Sequence, residues 1–246
     1  MSAPVLQLQG LRKAFGGLQV AQDIHLAVRA GELHALIGPN GAGKTTLLAQ
    51  ITGEITPDAG RILLHGRDIT RLPVHARARA GLGRSFQITA LMDELTVFDN
   101  MLLAVMGRHA SPWRFWGRAR AERPHAKMAH QALREAGLAA RAQEAAGALS
   151  HGERRQLELA MALAARPALL LLDEPMAGLS AAESRAMTQR LAALKGQYAM
   201  LLVEHDMDAV FALADTISVL VNGRIIATGT PDEVRANAEV QAAYLD

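Results

Sequence analysis

Runs of apolar residues predict the strands at the centre of this chain. Residues 33–37 and 169–172 are apolar at nearly every position, which is typical of parallel strands covered on both faces. Residues 46–51 follow the first run with the pattern of a helix. Strands that alternate with helices form parallel sheets, so we predict an α/β fold.

Shorter segments near both ends predict further strands. Near the N-terminus they cover 5–8, 25–28 and 60–66, with turns at Gly16-Gly17 and Ala30-Gly31. Near the C-terminus, Asn222-Gly223 separates the runs 217–221 and 224–227. An Asn-Gly pair between two strands predicts a hairpin with a type I′ turn.

The pattern becomes helical between about residue 88 and residue 149. Residues 95–100 lead into an apolar helix that continues through Val105. A second helical run covers 126–135, and Gly137 ends it. We therefore expect a helical region between two parts of the α/β fold.

Composition narrows the class of protein. The chain has 246 residues, half of them apolar, no cysteine and a net charge of +2. That length suits one large α/β domain with a smaller appended lobe. No apolar run approaches the length needed to cross a bilayer, and the N-terminus lacks the features of a signal peptide. We expect a cytoplasmic protein without a nucleic-acid-binding surface.

A phosphate-binding loop joins the first apolar run to its helix. Residues 38–45 (GPNGAGKT) fit the P-loop pattern, in which glycines let the backbone N–H groups surround a phosphate. The helix N-terminus adds partial positive charge there. We predict that Lys44 reaches the β- and γ-phosphates of ATP and that the Thr45 hydroxyl ligates Mg²⁺. The predicted nucleotide-binding residues are Gly38, Asn40, Gly41, Gly43, Lys44, Thr45 and Thr46.

Two adjacent carboxylates, Asp173 and Glu174, follow the second apolar run. The C-terminal end of a parallel strand is where open α/β sheets bind ligands. We predict that Asp173 holds Mg²⁺ and that Glu174 polarises the attacking water.

A third motif, Leu149-Ser-His-Gly-Glu153, precedes a helical run. Ser150 and Glu153 have the spacing of a capping box at a helix N-terminus. A serine and a glycine opening a helix before the acidic pair also resemble the signature motif of the ABC ATPases. In that family the motif binds the γ-phosphate of ATP held by a second subunit. The resemblance implies this role for Ser150 and Gly152.

Other elements of that family follow in the expected order. Gln87 resembles the Q-loop glutamine near Mg²⁺ and the attacking water, which makes it a candidate for catalysis and for metal binding. His205 resembles the switch histidine, which contacts the γ-phosphate. Phe15 matches the aromatic position that stacks on adenine.

The resemblance covers essentially the whole chain and implies its organisation. It implies one ABC ATPase domain, 1–246, with a P-loop NTPase (RecA-like) core and an antiparallel β lobe in 1–87 and 161–246. It places a helical subdomain, which includes the signature motif, in 88–160. The working form would be a dimer, either homomeric or heteromeric, bound to transmembrane permease subunits.

The chain departs from the family pattern at three positions. His151 stands where the signature usually has glycine, and Glu153 stands where it often has glutamine. Because Glu153 adds a negative charge near the partner's triphosphate, we expect it to point away or to form a cap. Ser180 replaces the usual aspartate of the D-loop, which makes strong coupling between the two ATP sites doubtful.

Residues 106–127 contain both tryptophans, Trp113 and Trp116, among several arginines. Such a segment suits a membrane surface or nucleic acid, or it is a solvated loop whose rings pack on the helical region. An insertion at this place resembles the ATPase subunits of branched-chain amino acid importers. The helix near residue 100 and the tail from 229 to 245 also resemble them.

Three functions remain open from the sequence. The first is the ATPase of an importer for branched-chain or related amino acids, urea or amides, located at the cytoplasmic face of the inner membrane. Such an importer also has a periplasmic substrate-binding protein. The second is the ATPase of a lipopolysaccharide export complex. The third is a soluble ABC ATPase that acts on ribosomes or DNA, which the single cassette disfavours.

Overall fold

The computed structural model describes residues 3–85, 91–109 and 123–245. Four strands form an antiparallel sheet in the order β2-β1-β4-β5. Their bounds are Leu6–Phe15 (β1), Leu18–Val28 (β2), Ala59–Leu64 (β4) and Arg67–Asp68 (β5). The first two strands are much longer than predicted, because register shifts carry their pairing past the irregular, charged segment around Gly10.

A second sheet of six strands forms the centre of the molecule, in the order β10-β9-β3-β8-β7-β6. The strands are Leu33–Ile37 (β3), Leu82–Ser85 (β6), Leu169–Asp173 (β7), Ala199–Val203 (β8), Thr216–Val221 (β9) and Arg224–Gly229 (β10). All neighbouring pairs are parallel except β9 and β10. These last two form the predicted hairpin, and Asn222 and Gly223 both have positive φ, as a type I′ turn requires.

Helices cover the central sheet and form a separate region. The described helices are Lys44–Thr52 (α1), Val74–Arg79 (α2), Val97–His109 (α3), Arg123–Glu135 (α4), His151–Ala164 (α5), Ala181–Leu194 (α6), Met207–Leu213 (α7), Pro231–Ala236 (α8) and Ala238–Val240 (α9). A π-helical turn, Gln241–Leu245, follows α9. Two short 3₁₀ helices, Ala139–Arg141 and Ala146–Ala148, lie between α4 and α5.

Buried apolar residues form three clusters. One joins the antiparallel sheet to one face of the central sheet and to α1. A second lies on the other face of the central sheet. The third consists of α3, α4, part of α5 and the segment between α4 and α5. The predicted α/β fold with an antiparallel β lobe and a helical region is confirmed.

The order of strands aligns three loops along one edge of the central sheet. The strands β3, β8 and β7 are adjacent and parallel, so their C-terminal ends lie side by side. The residues that follow them are the P-loop, Glu204 and His205, and Glu174. This edge is where ligands of open α/β sheets bind.

A buried arginine supports the helix that carries the P-loop lysine. Arg77 is 1% exposed, and its guanidinium donates to the carbonyl oxygens of Gln50 and Ile51 in the last turn of α1, at 2.6 and 2.8 Å. The last carbonyl groups of a helix have no partner within the helix. Arg77 therefore caps α1 from outside and holds it against the rest of the core.

The described residues include no helix long and apolar enough to cross a membrane.

Candidate functional site

The backbone of the P-loop requires glycine at two positions. A Cβ atom on Gly38 would collide with the carbonyl oxygen of Leu220, and one on Gly43 would lie 2.5 Å from the carbonyl oxygen of Val20. Gly41, in contrast, has φ +81° and nothing within 4 Å of its Cβ position. The loop is thus packed tightly on its inner side and open at its tip, beside the exposed Asn40. An open backbone turn at the start of a helix is suited to a phosphate.

Lys44 lies inside this loop. Its side chain is buried, and Nζ donates to the carbonyl oxygens of Gly38 at 2.5 Å and Pro39 at 3.0 Å. Burial lowers the pKa of Lys44, while the nearby carboxylates of Glu174 and Asp173 act in the opposite direction. The lysine is therefore positioned between the P-loop and the acidic pair, as predicted for a group that binds phosphates. Thr45 is exposed and Thr46 is half-buried at the first turn of α1.

Asp173 ends β7 as a buried carboxylate. It is 2% exposed, and its Oδ2 accepts from the guanidinium of Arg84 at 3.2 Å. Burial raises the pKa of Asp173, whereas Arg84 lowers it. A buried carboxylate remains ionised where a cation or hydrogen-bond donors offset the loss of water. The carboxylate oxygen of Asp173 and the hydroxyl of Thr45 are donors of the kind that Mg²⁺ prefers, so these residues fit that ion.

Glu174 has an unusual backbone conformation. Its φ is +48°, a value that few non-glycine residues adopt. Its N–H donates to the carbonyl oxygen of Val203 in β8 at 2.9 Å, which holds the residue at the edge of the sheet. Its side chain is 28% exposed, and Oε1 lies 3.9 Å from Nδ1 of His205. Positive φ at a residue beside a proposed ligand is typical of functional sites.

The predicted switch histidine, His205, follows β8. Its side chain is 61% exposed. Nδ1 lies 3.6 Å from Oε2 of Glu204, a carboxylate that is itself 1% exposed. Sequence reasoning missed Glu204, although an acidic residue directly after an apolar strand was a visible signal.

The signature loop, residues 149–153, begins α5 with the predicted capping box. The Glu153 N–H donates to the Ser150 hydroxyl at 3.3 Å, and the Ser150 N–H donates to the Glu153 carboxylate at 2.9 Å. The expectation that Glu153 forms a cap is confirmed. Arg141 adds a hydrogen bond from Nε to Glu153 at 3.0 Å, which is the main reason that the pKa of Glu153 falls to about 2.

The D-loop, residues 175–180, contacts the signature loop of the same chain. Nε2 of His151 lies 3.2 Å from the carbonyl oxygen of Ala177. Ser180 caps α6 through a second capping box with Glu183, and the Glu183 carboxylate lies against Gly152. Two of the three departures from the family pattern, His151 and Ser180, therefore meet at one place.

Phe15 lies at the end of β1 and is 50% exposed. Lys13 Nζ lies 5.4 Å from the centre of its ring and also pairs with Asp58 at 2.7 Å. An exposed ring on the β lobe is available for stacking.

The edge of the central sheet brings together the P-loop, Asp173, Glu174 and His205. Ser150 and Gly152 lie elsewhere, at the start of α5, where Ser150 bonds to Glu153 and Gly152 lies against Glu183. Gln87 lies outside the described residues, as do the rings of Trp113, Phe115 and Trp116. The candidate site thus consists of one region that carries the P-loop and the acidic pair, and a second, separate region that carries the signature loop.

These features define an ABC ATPase. The sequence profile of the ABC transporter family matches residues 21–177, which is more than half of the chain. The chain belongs to this family. A second profile, described as branched-chain amino acid ATP-binding cassette transporter, matches residues 224–245.

Curated relatives cover nearly the full chain. The high-affinity branched-chain amino acid transport ATP-binding protein BraF of Pseudomonas aeruginosa is 39% identical over 100% of this chain and 99% of its own length. LivG of Escherichia coli, which has the same description, is 37% identical with the same coverage. The lipopolysaccharide export system ATP-binding protein LptB of Escherichia coli is 34% identical over 98% of this chain and 96% of its own length.

Solved structures agree with the fold. The ADP conformation of an ATP-binding cassette of an ABC transporter matches with a TM-score of 0.89 and 28% identity, covering 99% of both chains. A nucleotide-free cassette matches with a TM-score of 0.87 and 28% identity, covering 99% of this chain and 100% of its own length. The predicted family resemblance and the predicted ATPase activity are confirmed.

Proposed function

We propose that the chain is the ATP-hydrolysing subunit of an importer for branched-chain or related amino acids. The observation that carries this proposal is the edge of the central sheet, where Lys44, Asp173, Glu174 and His205 meet. The tail match at 224–245 and the relatives BraF and LivG support the substrate class. Lipopolysaccharide export is the second candidate, and LptB, at 34% identity, supports it less.

The three apolar clusters suggest how the chain is divided into a catalytic part and a helical part. We assign 1–87 and 161–246 to the catalytic core and β lobe, and 88–160 to the helical subdomain that carries the signature loop. The separate apolar cluster of α3, α4 and the start of α5 supports this boundary, because a region with its own core can move as a unit.

ATP binding uses residues of one chain. Phe15 stacks on adenine, and the backbone of the P-loop surrounds the phosphates. Lys44 leaves the carbonyl oxygens of Gly38 and Pro39 to pair with the β- and γ-phosphates. The side chains of Thr45, Gln87 and Asp173 hold Mg²⁺, which when bound offsets the negative charge that develops on the phosphates.

Hydrolysis uses Glu174, His205 and the signature loop of a second subunit. The half-exposed Glu174 orients water towards the γ-phosphate, and His205 donates to the same phosphate. Ser150 and Gly152 of the second subunit close over it. Closure of the dimer pulls the helical subdomain, and through it the transmembrane permease, and hydrolysis reopens the dimer.

Location and partners follow from this role. The subunit works at the cytoplasmic face of the inner membrane, bound to permease subunits, with a periplasmic substrate-binding protein delivering cargo to the other side. The proposal includes no nucleic acid.

Reconstitution tests the substrate class. The chain is co-purified with the permease and binding protein of its transport system, and the complex is placed in liposomes. We expect ATP hydrolysis to be stimulated several-fold by binding protein loaded with leucine, isoleucine or valine, and transport to require ATP on the side of this subunit. Stimulation by lipopolysaccharide instead would favour the second candidate.

A further inference from the structure

A buried carboxylate joins the two loops that follow β7 and β8. Glu204 comes directly after β8 and is 1% exposed. Its Oε1 accepts from the backbone N–H of Met176 at 2.9 Å. Its Oε2 accepts from the backbone N–H of His205 at 3.0 Å and is 3.5 Å from that of Asp206. The same oxygen lies 3.6 Å from Nδ1 of His205.

These contacts join the segment after Glu174 to the segment that carries His205, and these two residues are the proposed catalytic pair. Met176 lies two residues after Glu174, in the D-loop, and His205 is the switch histidine. The two segments are also joined directly through their backbones, because the Glu174 N–H donates to the carbonyl oxygen of Val203. Moving either loop therefore breaks a hydrogen bond to the carboxylate of Glu204.

Burial of a carboxylate is costly unless hydrogen bonds replace the lost water. Each oxygen of Glu204 accepts from a backbone donor, Oε1 from the loop after β7 and Oε2 from the loop after β8. Because the side chain is 1% exposed and does not reach solvent, Glu204 is a poor candidate for the group that activates water. Glu174, at 28% exposed, keeps that role.

Glu32 is another buried carboxylate beside the same sheet, and its role is purely structural. Glu32 is 8% exposed and accepts from the Arg29 N–H at 2.6 Å. It precedes β3, at the edge of the sheet opposite to the P-loop. Its other oxygen lies 3.6 Å from Nδ1 of His34, so its contacts hold the start of β3 and include neither Glu174 nor His205. Glu204 differs because it bonds both loops of the hydrolytic site.

We propose that Glu204 is a positioning residue for ATP hydrolysis, which holds the D-loop and the switch histidine in fixed relation to Glu174. Through this carboxylate, a shift of His205 on contact with the γ-phosphate is transmitted to the D-loop, the segment that carries Ser180. The inference rests on the proposed roles of Glu174 and His205.

The test compares Glu204→Gln with Glu32→Gln in the full-length chain. Glutamine has the shape of glutamate, but it offers one acceptor oxygen and turns an NH₂ group towards N–H donors. We expect Glu204→Gln to lower kcat about tenfold, or about 1.4 kcal/mol, because a hydrogen bond to a charged group is lost. The KM for ATP and the affinity for a fluorescent ATP analogue should stay within about twofold, because the P-loop is untouched. Glu32→Gln should leave kcat within about twofold at a similar loss of melting temperature. Equal losses of kcat in the two variants would overturn the proposal.

A multiple-variant cycle separates positioning from a general loss of packing. In a background that carries both Glu174→Gln and His205→Ala, adding Glu204→Gln should lower the residual rate by less than about twofold, since Glu204 acts through Glu174 and His205. A full tenfold further loss would place its action elsewhere and contradict the proposal. If Glu204→Gln does not fold, Glu204→Asp is used in the same cycle, because it keeps the charge but is too short to bond both loops.

The single variants also distinguish a failure of this inference from a failure of the proposed catalytic site. If Glu174→Gln hydrolyses ATP at the wild-type rate, the proposed catalytic role of Glu174 fails. If Glu174→Gln is inactive and Glu204→Gln is as active as wild type, only the role of Glu204 fails.

Discussion

The P-loop edge and the signature loop are both expected to bind the γ-phosphate, yet the chain builds them differently. At the P-loop edge, Lys44 and Asp173 are buried and bonded to the core. At the signature loop, Ser150 and His151 are exposed, and their bonds run to Glu153 and the D-loop. The buried side chains of the first region all belong to one chain. The second presents an exposed hydroxyl at a helix N-terminus, which is suited to a ligand held by another molecule.

The signature loop also carries a negative charge that is balanced within the same region. Glu153 would repel a triphosphate, but Arg141 pairs with it at 3.0 Å and Glu144 pairs with Arg141 in turn. Glu183 lies against Gly152, beside the N-terminus of α5. Two of the three departures from the family pattern, Glu153 and Ser180, therefore take part in capping α5 and α6.

The largest effect is expected from Glu174→Gln. The amide has the same shape, and Asp173 remains, so ATP should still bind. Hydrolysis should fall by a factor on the order of 10² or more, because a positioned general base is lost. Size-exclusion chromatography with ATP should then show a trapped dimer. Turnover near the wild-type rate would remove Glu174 from the mechanism.

The next effect separates binding from dimerisation. Lys44→Ala removes a cation that binds the phosphates, so affinity for ATP in dilute monomer should fall tenfold or more, or about 1.5 kcal/mol. Ser150→Ala should leave that affinity within about twofold and abolish ATP-driven dimerisation instead. A fluorescent nucleotide titration and light scattering measure the two properties. Equal loss of affinity in both variants would contradict the assignment of Ser150 to the second subunit's ATP.

A smaller effect tests the charge at the signature loop. Arg141→Ala leaves Glu153 without its partner near the expected triphosphate, and dimerisation should weaken by up to about fivefold, since exposed ion pairs have small effects. Adding Glu153→Gln should restore it, because the unpaired charge beside the expected triphosphate is then removed. The monomer affinity for ATP is the control and should not change in either variant. If Glu153→Gln fails to rescue dimerisation, Arg141 acts through the fold and not through charge.

The smallest effect concerns the basic segment that follows α3. Removing residues 110–122 and joining His109 to Arg123 through a short Gly-Ser linker should leave basal ATP hydrolysis within about threefold, or under 1 kcal/mol. Assembly with the permease or stimulation by it should fall further. Strong, salt-sensitive binding of the intact chain to nucleic acid through this segment would instead revive a soluble ABC ATPase as the function.

The sequence alone determined the elements whose pattern is local. The P-loop lies between a buried apolar strand and a helix, and each of these is visible in a short window of residues. The capping box at Ser150 and the Asn222-Gly223 turn depend only on residues near them in the chain. For the same reason Asp173 and Glu174 could be found at the end of an apolar run.

The tertiary structure alone decided which distant residues meet. The length of β1 and β2 depends on pairing across the hairpin, which the irregular sequence around Gly10 hides. The strand order puts β8 between β3 and β7, and only this order brings Glu204 and His205 beside Glu174 and the D-loop. Likewise, the contact of His151 with Ala177 and of Gly152 with Glu183 joins segments more than twenty residues apart. Periodicity reports which face of an element is buried, but it carries no information on which elements become neighbours.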